Sequence, residues 1–253
     1  FIVVLSVALP FEHLMRKQQA ASIDKDRSDR IKSISFMTAA LLACIVASIP
    51  LFGTLIALLE DGEPLVGVID ASVQGERWIG VRGQGTSYVR EYPEPLNLQL
   101  QTSQTTELGQ ALIGSTDTSM FSGAQWERVQ RLYEKTRMRR YGGDCYLYGM
   151  LALGCVDVVV EANLASYDVM ALIPVVQEAG GVVTDWSGNT VTLDWDGTLL
   201  TSANPALHEQ ALAALKGASH LGCSLLPHCP PPFSSFSSFL REAKFQSVEL
   251  PRG

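Results

Sequence analysis

The sequence has few of the side chains and motifs on which several enzyme and zinc-binding classes depend. Of its four histidines, three lie at or beyond the last predicted helix, at positions 208, 220 and 228, so a histidine-centred mechanism has little to use. The five cysteines include no C-x-x-C pair and no N-x-S/T sequon occurs, so zinc ribbons and secreted disulfide frameworks fit poorly. Walker A, H-E-x-x-H and G-x-S-x-G motifs are also missing. We therefore expect a protein of a reducing compartment.

Basic residues are fewer than acidic ones. The chain has 19 Lys and Arg against 26 Asp and Glu, a formal net charge of -7 at neutral pH. Nucleic-acid binders normally present a basic patch, so this balance argues against nucleic acid as a partner. An acidic protein can still bind a phosphate ester when metal ions neutralise its site. Hydrophobic residues make up 47% of the 253 residues, which predicts a folded chain with a substantial core.

The two ends of the chain differ in composition from its middle. Residues 1–48 combine apolar and charged stretches, whereas residues 217–253 are rich in Pro, Ser and Phe. We predict an atypical first segment, one domain over residues 49–216, and a disordered tail. Because the first residue is Phe1, we expect a fragment or a processed product, in which no targeting peptide can be recognised.

One apolar run raises the possibility of a membrane segment. No charged residue occurs from Phe36 to Leu59, which is long enough for a transmembrane helix. Pro50 and Gly53 interrupt this run, and its second half is typical of a strand. A span at residues 34–49 is therefore kept as a minor alternative to a chain without a membrane segment.

The middle of the chain predicts interspersed strands and helices. Asp61 and Gly62 supply the chemistry of a tight turn between two strands. The predicted strands are LFGTLIALL, LVGVIDASV, ERWIGV, ALIGSTDTS, VDVVVE, a VVTDW–TVTLD hairpin and LLTSAN. The predicted helices are GAQWERVQRLYEKT, CYLYGMLALG, DVMALIPVVQEAGG and PALHEQALAALKG. One face of the first is expected to hold Trp126, Val129, Leu132 and Tyr133, and the last is expected to begin with Asn204 as its cap and Pro205 at its first position. The glycine-rich segment RGQGTS after ERWIGV is interpreted as a turn. Several hairpins occur among these elements, so a layered α/β sandwich fits better than a doubly wound sheet.

Three carboxylates in this region could carry chemistry, and each also has a simpler explanation. Glu161 ends a buried strand, where a rim charge is common. Asp168 is expected to open a helix, where a carboxylate caps free N–H groups, although its second oxygen could still bind Mg²⁺. Asp144 follows two glycines and could cap the helix after it. Spacing alone leaves these alternatives open.

The longer pattern around these residues resembles a known family. YGGDCY at 141–146 precedes VVVEANLASYDVMALIPVVQEAGGVVTDWSG at 158–188. A carboxylate strand, an aromatic-Asp pair, a helix and E-A-G-G-x-x-T-D-x-x-G are typical of the inositol monophosphatase superfamily. The form with GGDCY, together with PLFGTLIALLEDGEPLVGVID and ERWIG, is similar to the plant and algal histidinol-phosphate phosphatases. The resemblance covers roughly residues 49–216.

This resemblance implies a fold, an activity and roles for four residues. The implied fold is a layered α/β/α/β/α sandwich that is incomplete at its N-terminus. Asp168 matches an aspartate that coordinates Mg²⁺ and helps to position the attacking water. Glu161 matches a substrate-binding glutamate, and Gly143 and Asp144 lie where the family lines the substrate pocket. An acidic residue at 144 would suit the ammonium group of histidinol phosphate by charge pairing.

Two metal-binding motifs of the family are missing from this sequence. Relatives carry a G-E-E loop and, shortly before the segment matching IPLFGT, the motif D-P-[IL]-D-G-T. Here no G-E-E occurs, and no acidic residue lies between Arg30 and Glu60. Asp24, Asp26 and Asp29 have the spacing of an ordinary solvated charge run. Either residues 1–48 replace the true family segment, or the protein has diverged and lost activity.

Two classes of function follow from these observations. The first is a Mg²⁺-dependent phosphomonoesterase for a small phosphate ester, with histidinol phosphate expected and inositol phosphates as the alternative. The second is a catalytically inactive relative that acts as a binding or subunit protein. By analogy with its relatives we expect a possible homodimer, located in the chloroplast or otherwise in the cytoplasm.

Overall fold

The computed structural model describes residues 3–4 and 51–217 of the chain, in two sheets with five helices. The predictions for residues 1–48, for a membrane span at 34–49 and for a disordered tail lie outside these residues, apart from Val3, Val4 and Gly217. In sheet order, the first sheet comprises strands β1 (Val3–Val4), β2 (Thr54–Glu60), β3 (Glu63–Ala71), β4 (Glu76–Val81), β5 (Gly85–Arg90) and β6 (Leu96–Gln99).

Local turn chemistry builds most of the first sheet. Asp61 and Gly62 have φ angles of 53° and 84°, as a two-residue hairpin turn requires, and they join β2 to β3 as predicted. Side chains alternate along β2, so Leu55 and Ala57 are buried while Ile56 and Leu58 face away. From β2 to β6 each strand pairs antiparallel with the next one along the chain.

The second sheet is mixed, and its neighbours are distant in sequence. Its strands are β7 (Leu112–Ser115), β8 (Met138–Tyr141), β9 (Val158–Glu161), β10 (Val182–Thr184) and β11 (Leu199–Ser202), in the spatial order β10-β11-β9-β7-β8. The helices are α1 (Gly123–Glu134), α2 (Cys145–Ala152), α3 (Ser166–Val169), α4 (Leu172–Gln177) and α5 (Pro205–Lys216). Strand β7 pairs parallel with both β8 and β9.

The elements stack as sheet, helices, sheet, helices. Helices α2 and α4 contact the first sheet on one side and the second sheet on the other. Along β9, Val159 joins the core with α2 and α4, whereas Val158 and Val160 join the core with α1 and α5. The described residues thus supply four of the five predicted layers, and a first helical layer would have to come from outside them.

The start of α5 follows the predicted capping pattern. Asn204 Oδ1 accepts a hydrogen bond from the Leu207 N–H at 3.0 Å, and Pro205 occupies the first position of α5. Gly217, with φ of 68°, ends the same helix in the left-handed conformation. In α1 the predicted face is also confirmed, because Val129 and Leu132 are buried.

Other local predictions were wrong. The TVTLD segment forms no strand, and β10 pairs instead with β11. The single helix predicted from Asp168 is divided into α3 and α4, because Pro174 has no N–H to donate to the preceding turn. Strands β5, β6 and β8 were not predicted. Among the described residues, no helix has both the length and the apolar character needed to cross a bilayer.

Candidate active site

The parallel strands of the second sheet bring the predicted residues to one edge. Strands β7, β8 and β9 run in the same direction, so their carboxyl ends meet there. Glu161 is the last residue of β9, and Gly143 and Asp144 follow β8. Ligands of open α/β sheets commonly bind outside the carboxyl ends of such strands. This edge is therefore the candidate active site.

Glu161 lies at this edge as a buried carboxylate whose two oxygens both accept hydrogen bonds. The residue is 4% exposed. Oε1 accepts hydrogen bonds from the Thr116 N–H at 2.9 Å and the Thr116 hydroxyl at 2.5 Å. Oε2 accepts one from the Tyr148 hydroxyl at 2.7 Å. A substrate group could bind Glu161 at the second acceptor position of Oε2 or by replacing one of these bonds.

Burial controls the electrostatics of this carboxylate and its partner. Loss of solvent raises the pKa of Glu161, and the Thr116 and Tyr148 bonds oppose that rise. Burial also raises the pKa of Tyr148 well above its usual value, and the charges of Glu161 and Asp168 add to the effect. The charge of Asp144 adds to the rise in the Glu161 pKa.

Asp168 is half-buried and more open to a ligand than Glu161. Its Oδ2 accepts a hydrogen bond from the Ala165 N–H at 2.9 Å. Among the described residues no hydrogen bond reaches Oδ1, so that oxygen is available for a ligand. Burial raises the Asp168 pKa, and the Ala165 bond partly offsets this. The prediction that Asp168 is an N-cap was wrong, because α3 begins two residues before it and Ala165 has the cap position.

Gly143 and Asp144 form a strained entrance to α2. Gly143 has φ of 109° and Asp144 has φ of 44°, a conformation that non-glycine residues adopt rarely. Asp144 has the N-cap position of α2, but its side chain makes no capping hydrogen bond to that helix. Unusual backbone conformations of this kind concentrate at functional sites, where the surrounding structure maintains them.

Thr116 is the site residue that the sequence analysis missed. Two of its atoms hold Oε1 of Glu161. Nearby, Asn163 has φ of 59°, and its Nδ2 donates to the Met120 carbonyl at 2.6 Å, which ties the loop after β9 to the loop after β7. The polar end of ALIGSTDTS was visible in the sequence, but only the parallel pairing of β7 and β9 identifies its partner.

The described residues do not fit a complete Mg²⁺ site. No group of three or more His, Cys, Asp or Glu side chains in this part of the chain could hold a metal ion. Hard cations bound by one carboxylate and water are held weakly, and Asp168 is the single suitable carboxylate that we find here. A side-chain carbon added at Gly53 would lie 2.6 Å from Cys145 Sγ, so the chain enters β2 directly beside α2.

Comparison with known proteins agrees with this architecture. The inositol monophosphatase family profile matches residues 45–220. The chain belongs to the inositol monophosphatase family. It is 36% identical over 176 residues to the chloroplastic bifunctional phosphatase IMPL2 of Arabidopsis thaliana, covering 66% of this chain and 48% of that protein. It is 35% identical over 177 residues to a histidinol-phosphatase of Mycobacterium tuberculosis, covering 67% and 64% respectively.

Solved structures of this family share the fold. An inositol monophosphatase from Zymomonas mobilis aligns with a TM-score of 0.64 and 35% identity, over 69% of this chain and 66% of that one. Another from Anabaena aligns with a TM-score of 0.60 and 26% identity, over 69% and 70%. The predicted layered α/β sandwich of the inositol monophosphatase type is thereby confirmed. The chain spans about half to two thirds of the length of the two curated relatives above.

Proposed function

We propose that this protein is a phosphomonoesterase whose substrate is histidinol phosphate, with a role in histidine biosynthesis. The observation that carries this proposal is that Gly143 and Asp144 lie at the same carboxyl edge of the second sheet as Glu161. Relatives named histidinol-phosphatase, at 35% and 29% identity, support the same assignment. Inositol phosphates remain the alternative substrate, because an inositol monophosphatase of Mesembryanthemum crystallinum is 30% identical.

Each site residue has a proposed role that follows from its surroundings. Asp144 would pair with the substrate ammonium, since it lies at the candidate edge and carries the opposite charge. Asp168 would act as the catalytic carboxylate and would bind the metal through Oδ1. Glu161 would bind the substrate by exchanging one internal hydrogen bond, and Gly143 would let the backbone turn close to the ligand.

Magnesium is the proposed cofactor, on the strength of the family alone. When bound in such a site, Mg²⁺ supplies charge that neutralises phosphate and lowers the pKa of bound water. The described part of the chain offers Asp168 and lacks the further carboxylates that hold this ion. Because these carboxylates are missing from the described residues, a second candidate function is binding of the phosphate ester without hydrolysis, as an inactive relative of the family.

One experiment separates these functions. Phosphate release from histidinol phosphate and from myo-inositol 1-phosphate is measured for the purified chain, with and without Mg²⁺, while calorimetry measures binding. Mg²⁺-dependent release that prefers histidinol phosphate supports the enzyme, whereas binding without release supports the inactive relative. No binding of either ester contradicts both.

A charge variant tests the substrate class. Asp144→Asn removes about 1 kcal/mol of ion pairing and should weaken histidinol phosphate binding about three- to tenfold. The inositol ester has no ammonium, so its affinity should stay the same. Glu134→Gln, an exposed change on α1, is the matched control. Equal losses for both esters would show that Asp144 does not recognise the amine.

Location and assembly are proposed by analogy. The Arabidopsis relative is named as chloroplastic, and we propose the same compartment for this protein. A fluorescent fusion of the complete coding sequence tests it, and a purely cytoplasmic signal would contradict it. We also propose a homodimer, for which sedimentation of the purified chain would give twice the mass of one chain.

A further inference from the structure

Glu76 bonds two tyrosines from different elements. It is the first residue of β4, in the sheet that lies away from the candidate site. Its Oε1 accepts a hydrogen bond from the Tyr88 hydroxyl of β5 at 2.7 Å. Its Oε2 accepts one from the Tyr146 hydroxyl of α2 at 2.5 Å. One carboxylate of the first sheet therefore holds the first turn of the helix that follows Asp144.

The packing around this bond fixes how α2 lies on the first sheet. The Trp78 ring lies 5.3 Å from the Tyr146 ring, edge to face, and 5.2 Å from the Tyr88 ring. Gly149 lies directly on Trp78, because an added side-chain carbon would come within 2.7 Å of that ring. The helix therefore approaches the sheet at van der Waals contact, and the Tyr146 bond sets the orientation of its first turn.

The opposite side of the same helix contacts the active-site edge. Tyr148, two residues after Tyr146, donates to Glu161 of the second sheet. Helix α2 is thus tied to one sheet through Glu76 and to the other through Glu161. Asp144 immediately precedes this helix. The Tyr146 N–H donates to the Gly143 carbonyl at 2.8 Å, and the Leu147 N–H donates to the Asp144 carbonyl at 3.2 Å. The positions of Gly143 and Asp144 therefore depend on how the first turn is held.

We propose that Glu76 is a positioning residue that sets the place of Asp144 through Tyr146, and so contributes to recognition of the substrate amine. This inference rests on the proposed function. Burial and the Glu76 charge raise the pKa of Tyr88 to about 12 and raise that of Tyr146 above its usual range, so both hydroxyls stay protonated as donors at neutral pH. A hydrogen bond from a neutral donor to a carboxylate is stronger than one between two neutral groups, so it can hold the first turn in one orientation.

A matched pair of variants tests the inference. Tyr146→Phe removes the bond from α2 to Glu76, whereas Tyr88→Phe removes an equivalent bond to the same carboxylate from a strand. The amide signals of Gly143 and Asp144, followed by ¹H–¹⁵N NMR on the whole chain, should move in Tyr146→Phe and stay in place in Tyr88→Phe. Glu76→Ala should reproduce the Tyr146→Phe shifts, and the double variant should add nothing further.

Affinity for histidinol phosphate provides the functional measurement. Tyr146→Phe should weaken its binding about three- to tenfold, the equivalent of one lost hydrogen bond to a charged group. Binding of myo-inositol 1-phosphate should not change. Unmoved Asp144 signals in Tyr146→Phe, or equal movement in Tyr88→Phe, would overturn the positioning role. If the unaltered chain binds no histidinol phosphate, the proposed function and the role in amine recognition fail, while the NMR signals still decide the structural link.

Discussion

The two sheets of this molecule are built in different ways and do different work. In the first sheet, consecutive strands from β2 to β6 pair through short turns, and its inner face is opened by glycines that let a helix lie close. In the second, partners such as β9 and β11 are distant in the chain, and buried polar groups gather at its edge and beneath α5. The first sheet is a support, while the second carries the residues proposed for chemistry.

The first sheet is determined by residues that are near in sequence, and the site by contacts between distant parts of the chain. The support depends on turn residues and on small side chains, both of which can be recognised in the sequence. The site depends on which strand ends meet, because Thr116 and Tyr148 converge on Glu161 from positions 45 and 13 residues away. Four variants test the contrast, beginning with the largest expected effect.

Gly67→Ala should damage the support most. An alanine Cβ there would lie 2.0 Å from the Ala171 carbonyl oxygen, so backbone on one side must move. We expect a loss of about 3 kcal/mol or more in the free energy of unfolding, measured by urea denaturation. Gly123→Ala is the control, because no atom lies within 4 Å of its added carbon and the change should be within about 0.5 kcal/mol. Equal stability of the two variants would contradict the close helix–sheet contact.

His208 should make the second-sheet region acid-sensitive. Burial lowers its pKa from 6.5 to about 4, and its ring contacts the hydroxyls of Thr184 and Ser202. The unfolded state therefore takes up a proton near pH 6.5, whereas the folded state resists it until about pH 4. Stability is lost as the pH falls through this window.

The size of that loss can be measured by comparison with a variant. Between pH 7.5 and pH 5 the His208 contribution should fall by about 2 kcal/mol. His208→Gln should remove this part of the pH dependence, and urea midpoints at the two pH values provide the test. A variant that keeps the full pH dependence would assign the acid sensitivity to another group.

Tyr148→Phe should lower the free energy of unfolding by about 1.5 kcal/mol, because Glu161 Oε2 would be buried without a donor. Since burial raises the Glu161 pKa above 4.5, the stability gained from protonation is present below that pH and is lost as the pH rises through the folded pKa. The variant should therefore lose more stability at neutral pH than near pH 4.5. Tyr92→Phe, whose hydroxyl bonds Val73 at the surface, should change stability by less than about 0.5 kcal/mol. Similar thermal shifts for both variants would contradict the buried role of Tyr148.

Asn204→Ala should give the smallest loss, about 1 kcal/mol, because it removes the cap of α5. The Ser122 cap of α1 is a longer bond of 3.5 Å, so Ser122→Ala should cost less. Calorimetric unfolding of the two variants measures the difference. A greater loss for Ser122→Ala would reverse the predicted order.

Local signals in the sequence predicted much of the support and the helix ends. The Asp61-Gly62 turn and the Asn204 cap are determined by neighbouring residues, so they could be recognised without the fold. Strands β6 and β8 were missed, because each has only four residues and most of their side chains are exposed. The alternation of apolar and polar residues in β6 is a signal that could have predicted this strand, whereas β8 has none. Strand β5 begins at Gly85, with φ of 83°, in a segment that was interpreted as a turn.

The site was recognised only in part, for a physical reason. Asp144, Glu161 and Asp168 lie close to the signature motif, so a resemblance identified them. The groups around them are brought together by tertiary pairing. Thr116 and the bond between Glu76 and Tyr146 therefore could not be recognised in the sequence. The error at Asp168 has a local origin, since its carboxylate accepts from the N–H three residues before it and Pro174 divides the helix after it.

The central claim is that the carboxyl edge of the second sheet binds histidinol phosphate. The most direct test is an NMR titration of the ¹⁵N-labelled chain with this ester, with and without Mg²⁺. The account predicts that the amide signals of Thr116, Asp144 and Asp168 move together with one dissociation constant, and that Asp144→Asn weakens it. Signals that move elsewhere on the molecule, or that do not move at all, would contradict the assignment of this edge as the active site.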